Sequence, residues 1–246
     1  MVLLITDITF EESSGYFLTR GLTSYLLFSI IVSILIGFIS QVNDKFGPGI
    51  LLPMFLGKYH KPREEYKIFM FVDLTGSTTY AEKYGHVKYS HFIQDFLFDL
   101  NLAANQCSGQ IYQYVGDEAI VTWDLDKGIE ELNCINIFFV FKDILERKKD
   151  YYLKNYGDIP DFKAGSNSGN VMVAEVGYLK KEIAFHGDPI NTAARIRGLC
   201  NKYGKEFLIS GYLYDQLPET SNFRITSIEE AELRGKKSHV QVYAVE

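Results

Sequence analysis

The stretch IFMFVDLTGSTT, residues 68–79, decides how the chain is read. Ile68 to Val72 are apolar, β-branched or aromatic without alternation, the pattern of a strand covered on both faces in mid-sheet. Asp73 ends that run, and a carboxylate at the end of a buried strand is costly unless a cation meets it. Leu74-Thr75-Gly76-Ser77-Thr78 is small and hydroxylic around one Gly, so backbone N–H groups can approach an anion while Ser77 or Thr78 caps the helix that follows. Strand, carboxylate, Gly turn and helix start describe a place for a metal ion beside a phosphate. Alone, the same residues also make an ordinary strand-to-helix turn with a capping Asp.

Downstream, apolar residues recur at three and four from Thr78 to about Asn105, which predicts a helix with a candidate break at Gly85. In GQIYQYVGDEAIVTW, residues 109–123, two β-rich runs flank Gly116-Asp117-Glu118 and predict a hairpin whose turn carries two carboxylates, Asp117 and Glu118. Asp126 to Tyr152 reads as a second amphipathic helix, and Phe162 to Val176 as a strand pair around Ser168-Gly169-Asn170. Phe207–Ser210 and Val240–Val245 supply further strands, with a helix from about Gly211 to Leu217. In FHGDPINTAARIRGL, residues 185–199, Asp188 is placed to cap a helix and Pro189 suits its first position. Asn191 and Arg195 are four apart and share a face, an amide and a guanidinium suited to steadying a phosphate. A polar turn in water and a capped surface helix are the plain readings of these last two motifs.

Upstream, Gly21 to Val42 are 22 residues without a charge, enough to cross a hydrocarbon core of roughly 30 Å as one transmembrane helix. A buried core helix is the competing reading. Lys45, Lys58, Lys61, Arg63 and Lys67 follow the span and only Arg20 precedes it, so everything after residue 43 is expected in the cytoplasm, with the span in the cell's inner (plasma) membrane. Residues 1–20 form a short N-terminal lead, residues 43–65 a Pro- and Gly-broken juxtamembrane linker, and residues 66–246 one domain. Lys+Arg 25 against Asp+Glu 31 gives a net charge of -6 with no basic block, which disfavours nucleic acid as a partner. The three cysteines, Cys107, Cys134 and Cys200, show no C-x-x-C spacing and suggest neither a zinc site nor disulfides.

FVDLTGST, YVGDEAIVTW and GDPINTAAR, in this order, resemble the class III nucleotidyl cyclase catalytic domain over about residues 66–246. The resemblance implies an α+β fold, a ferredoxin-like βαββαβ palm. It implies that Asp73 and Asp117, with the Leu74 carbonyl, hold two Mg²⁺ or Mn²⁺ ions, and that Gly76, Ser77, Thr78 and Lys236 meet phosphate. Asn191 would orient the ribose and Arg195 would stabilise charge at the α-phosphate. The family's shared sites imply a homodimer in which these two groups of residues come from opposite subunits. The base-reading positions align with Gln113 and Ala184, which depart from the usual adenine and guanine sets: Gln113 both donates and accepts, and Ala184 offers no side-chain hydrogen bond. Adenine is expected on family frequency, then guanine, then a pyrimidine. A catalytically silent nucleotide-binding or dimerisation module is the alternative to an active enzyme. A diguanylate cyclase would need a GG(D/E)EF-like turn, and a P-loop kinase a GxxxxGK[ST], and neither occurs.

Overall fold

The computed structural model describes residues 10–46, 52–53, 56–218, 223–232 and 239–246. The chain divides into two units, residues 1–56 and 57–246. In the first, α1 (Phe10–Phe46) is a continuous helix. Its stretch Arg20–Val42 is long and apolar enough to cross a membrane, about 34 Å at 1.5 Å per residue. Large apolar side chains along it, among them Leu26, Phe28, Ile31 and Ile34, are exposed rather than packed in a core. The helix continues four residues beyond Val42, into the segment expected to be linker.

The second unit follows the order β1 (Arg63–Leu74), α2 (Ser77–Tyr84), α3 (His86–Gln106), β2 (Gln110–Val115), β3 (Glu118–Asp124), α4 (Leu125–Ile129), α5 (Asn133–Arg147), α6 (Lys149–Tyr156), β4 (Phe162–Val176), β5 (Glu182–His186), α7 (Asp188–Tyr203), β6 (Phe207–Ser210), α8 (Gly211–Tyr214), β7 (Ile225–Glu232) and β8 (His239–Val245). The sheet runs β2-β3-β1-β4-β6-β8-β7, with β5 paired to the far end of β4. Its first half is the expected βαββαβ palm, with β1 antiparallel to both β3 and β4.

β1 is apolar on both faces because both are covered. Ile68, Met70 and Val72 join α3 and α5 residues such as Phe96, Leu100 and Phe141 in the main core. Phe69 and Phe71 face the other way, against Val171, Val173 and Ala193 of α7. The strand begins at Arg63, five residues before its apolar run, because Arg63 to Lys67 pair with Val173 to Gly169 of β4.

Phe162–Val176 is one 15-residue strand, not two. Ser168-Gly169-Asn170 reads locally as a turn, yet its small residues serve a docking helix. A Cβ on Gly165 would lie 2.1 Å from the backbone nitrogen of Arg197, and one on Gly169 would lie 2.7 Å from Pro189, so α7 rests directly on the β4 backbone. Asn167 Nδ2 donates to the Pro189 carbonyl at 2.9 Å across the same contact. Other differences are local. The first long helix breaks at Gly85, whose φ of 84° ends α2. The second is interrupted where Glu131 and Leu132 take positive φ, which separates α4 from α5, and again at Lys148, between α5 and α6. The helix expected over 211–217 is one turn, Gly211–Tyr214, capped by Ser210.

Candidate active site

Sheet register builds the site. Asp73 is the penultimate residue of β1 and sits opposite Glu118 of β3 on one side and Lys163 of β4 on the other, so three ionisable groups form one row across the strand ends. Asp117 precedes Glu118 in the β2–β3 turn, where Gly116 supplies a φ of 65°. Beyond Asp73 the chain turns: Thr75 N–H donates to the Asp161 carbonyl at 2.8 Å, and Gly76 adopts φ 71°, ψ 17°, a left-handed conformation that glycine enters freely. α2 then starts at Ser77 with no side-chain cap, so the expected capping by Ser77 or Thr78 does not occur: both lie inside the helix, after the cap position that Gly76 occupies. A cleft of roughly 320 Å³ results, lined by Asp73, Leu74, Thr75, Gly76, Ser77, Thr78, Asp117, Lys163 and Asn201.

The expected metal residues Asp73, Leu74 and Asp117 and the expected phosphate residues Gly76, Ser77 and Thr78 are therefore brought together. Lys236 lies outside the described residues. Among the described residues no group of three His, Cys, Asp or Glu side chains is gathered around a metal position. Two carboxylates and a backbone carbonyl nevertheless make an all-oxygen donor set, which suits a hard divalent cation.

Arg197 is the residue that sequence reasoning missed. Its two terminal nitrogens bridge Asp73 Oδ2 at 3.0 Å and Glu118 Oε2 at 2.5 Å, while its Nε is buried without a hydrogen-bond partner. Burial is the largest influence on Asp73 and lifts its carboxyl above the usual range, with Arg197 opposing and Asp117 adding to the rise. Glu118 is likewise raised, by burial first and against the pull of Arg197. Lys163 turns instead to Asn201 of α7, whose Oδ1 accepts from its ammonium. The available signal was spacing: Arg197 lies four residues from buried Ala193 and so shares the sheet-facing side of α7.

Asn191 and Arg195 do not line this cleft. Arg195 is two residues from Arg197, about 200° around the helix, so the two arginines point to opposite sides. Asn191 is exposed near the start of α7, where Nδ2 donates to the Gly187 carbonyl at 3.5 Å. Asp188 is the first residue of α7, after the cap position that Gly187 occupies, and its Oδ2 accepts from the Thr192 hydroxyl at 3.2 Å. Gln113 is exposed on β2, just past a bulge in its pairing with β3, and Ala184 pairs with Ala174 from β5. Their neighbours Tyr112 and Phe185 are in edge contact with centroids 4.7 Å apart, although β2 and β5 are not paired in the sheet.

Known proteins bear on this geometry. Adenylate cyclase 2 of Rhizobium meliloti (strain 1021) is 30% identical over 220 residues, covering 89% of this chain and 61% of that protein. The chain thus spans less than two thirds of that relative's length. Among solved structures, a bacterial light-regulated adenylyl cyclase superposes with a TM-score of 0.73 at 17% identity, over 89% of this chain and 65% of that one. The guanylate cyclase domain of RhGC from Catenaria anguillulae, solved with GTP, gives 0.58 at 20% identity, over 75% of this chain and 98% of that one. At such identities these two likenesses speak for the fold. The family described as Adenylate and Guanylate cyclase catalytic domain matches residues 59–246, and this chain belongs to it.

Proposed function

We propose that the chain is a membrane-anchored nucleotidyl cyclase that converts ATP to the 3′,5′-cyclic monophosphate and pyrophosphate in sites shared by a homodimer. The observation that carries this is the division of labour around α7. Asp73, Asp117 and the Gly76–Thr78 helix start line one cleft, while Asn191 and Arg195 do not line it and would complete the cleft of a second copy.

Asp73 and Asp117, with the Leu74 carbonyl, would hold two Mg²⁺ or Mn²⁺ ions, which when bound supply positive charge at the 3′-oxygen and the triphosphate. The first N–H groups of α2, at Ser77 and Thr78, offer an anion site to the phosphates. The partner subunit's Asn191 orients the ribose, and the partner subunit's Arg195 meets charge growing on the α-phosphate. The 3′-oxygen bonds to the α-phosphorus, the bond to the bridging oxygen of pyrophosphate breaks, and the 3′-hydroxyl proton passes to solvent. Adenine as the base is supported by the name of the Rhizobium relative; Gln113 and Ala184 select no base by themselves. Arg20–Val42 as the membrane span, with lipid around it and the catalytic unit cytoplasmic, is supported by its length, its exposed apolar surface and the basic residues that follow. We take the catalytic domain to begin at Gly57, where the second unit starts, with residues 1–20, 21–42 and the segment up to Gly57 as lead, span and linker.

The test is cyclic nucleotide formation by the full chain in detergent micelles, offered ATP, GTP, CTP and UTP separately with Mn²⁺ or Mg²⁺. ATP should give cyclic product that disappears in Asp73→Ala. No product from any nucleotide, with the dimer intact, would reduce the chain to a binding module.

A further inference from the structure

Three carboxylates, Asp73, Glu118 and Asp117, gather at the strand ends, and two cations approach them. Lys163 lies across from Asp73 in register, yet its ammonium is engaged by Asn201. Arg197 is the cation on Asp73, and it is not adaptable. Its backbone is pressed against Gly165, where a Cβ would come within 2.1 Å of its nitrogen, so α7 holds it close against β4. Its Nε is left buried and unpartnered while both terminal nitrogens reach carboxylates, so the two acids dictate where the guanidinium lies. Glu118 is the more buried acid, at 15% side-chain exposure against 29% for Asp73, and has the shorter contact. Arg197 is thus held chiefly by Glu118 and shares itself with Asp73.

We infer that Arg197 is a resident counter-cation of the metal site: it orients Asp73 through Glu118 and keeps the site's hold on a free divalent ion weak. The inference rests on the two-metal reading above. A fixed positive charge in contact with a ligand carboxylate repels a divalent ion and competes for the same oxygens. A nucleoside triphosphate brings its own negative charge to the cleft and offsets that repulsion. Arg197 therefore makes metal occupancy depend on nucleotide, so that metal and substrate load together. It is a positioning residue, acting through Asp73 rather than on substrate.

The experiment is Mn²⁺ titration followed by electron paramagnetic resonance on the full chain in detergent micelles, without nucleotide and then with a non-cyclisable ATP analogue. Arg197→Gln should bind Mn²⁺ about tenfold tighter than wild type without nucleotide, and the gap should narrow with the analogue. A purely structural role for Arg197 would lower thermal stability and leave Mn²⁺ affinity alone. Should Arg197→Gln fail to fold with Glu118 stranded, the double variant Glu118→Gln/Arg197→Gln, which strands neither charge, is compared with Glu118→Gln alone and should bind several-fold tighter. Mn²⁺ binding that requires Asp73 but ignores Arg197, or weakens without it, overturns the inference alone. Mn²⁺ binding unchanged in Asp73→Asn overturns the two-metal reading and the inference with it.

Discussion

Gly165→Ala is the smallest change that should disturb the site from outside it. A methyl carbon there would stand 2.1 Å from Arg197 N, 2.5 Å from its Cα and 2.7 Å from its Cβ, against about 3.5–4 Å for an unstrained carbon contact. Two of these are backbone atoms in mid-helix, so no rotamer change relieves the clash and α7 must lift by more than about 1 Å. The helix is pinned on both sides of that point. Pro189 sits over Gly169, and Cys200 Sγ donates to the Ala164 carbonyl at 3.3 Å. Lifting it opens space under Ala193, Ile196 and Cys200, each fully buried. Overpacking of this kind costs about 3 kcal/mol, and the stiffening of the unfolded chain by Ala returns less than about 1 kcal/mol. A net loss of about 2 kcal/mol should lower the urea midpoint by roughly 1 M at an m-value of about 2 kcal/mol/M. Trp123, the one tryptophan, is 2% exposed and its Nε1 donates to the Cys107 carbonyl at 2.9 Å, so its fluorescence follows unfolding of this unit without interference. A midpoint within about 0.3 M of wild type would show that α7 does not rest on the β4 backbone.

Mixing two inactive variants, Asp73→Ala and Arg195→Ala, should restore about a quarter of wild-type turnover, since half of randomly paired dimers carry one intact composite site; no recovery after subunit exchange would place both residues in one protomer's site. Lys67 pairs with Asp124 and, at 3.0 Å, with Glu65. Burial works to raise both acids, but their hydrogen bonds and charge contact with Lys67 hold each below its ordinary value. Stability from a depressed carboxylate is present above its unfolded pKa and is lost as pH falls through the folded one. Lys67→Met should therefore lose about 1 kcal/mol at pH 7, a figure reduced for the exposure of Asp124, and the two urea midpoints should converge as pH falls below the ordinary carboxylate range. A gap that persists in acid would assign the loss to packing instead.

The parts of the fold visible in the sequence are those whose cause is local. Ile68–Val72 is apolar on both sides because helices cover both sides, and Asp117 sits at a hairpin turn because Gly116 allows it. What escaped has distant causes. Ser168-Gly169-Asn170 carries turn residues, and only pairing with Tyr66 to Ile68 of β1, about a hundred residues back, makes them a strand. β5 and β7 were unread because EIAFH holds only three apolar residues in a row and ITSIEEAE holds no apolar run; β7 is an edge strand, where charged residues are expected. The break at Glu131 and Leu132 has no Gly or Pro to announce it. Arg197 meets Glu118 from 79 residues away, and nothing near either residue signals the pair.

In a two-fold dimer of this chain, α7 would have two employers. Arg197 reaches Asp73 and Glu118 of its own protomer, and Arg195, about 200° around the helix, would be the residue offered to the other copy. A helix seated on bare backbone moves as a rod, so any displacement that carries one arginine toward its target carries the other in a fixed, opposite sense. The two active sites would then be mechanically linked through two shared rods. A substitution in α7 would be felt twice, once in each cleft, and neither cleft could be retuned without retuning its twin.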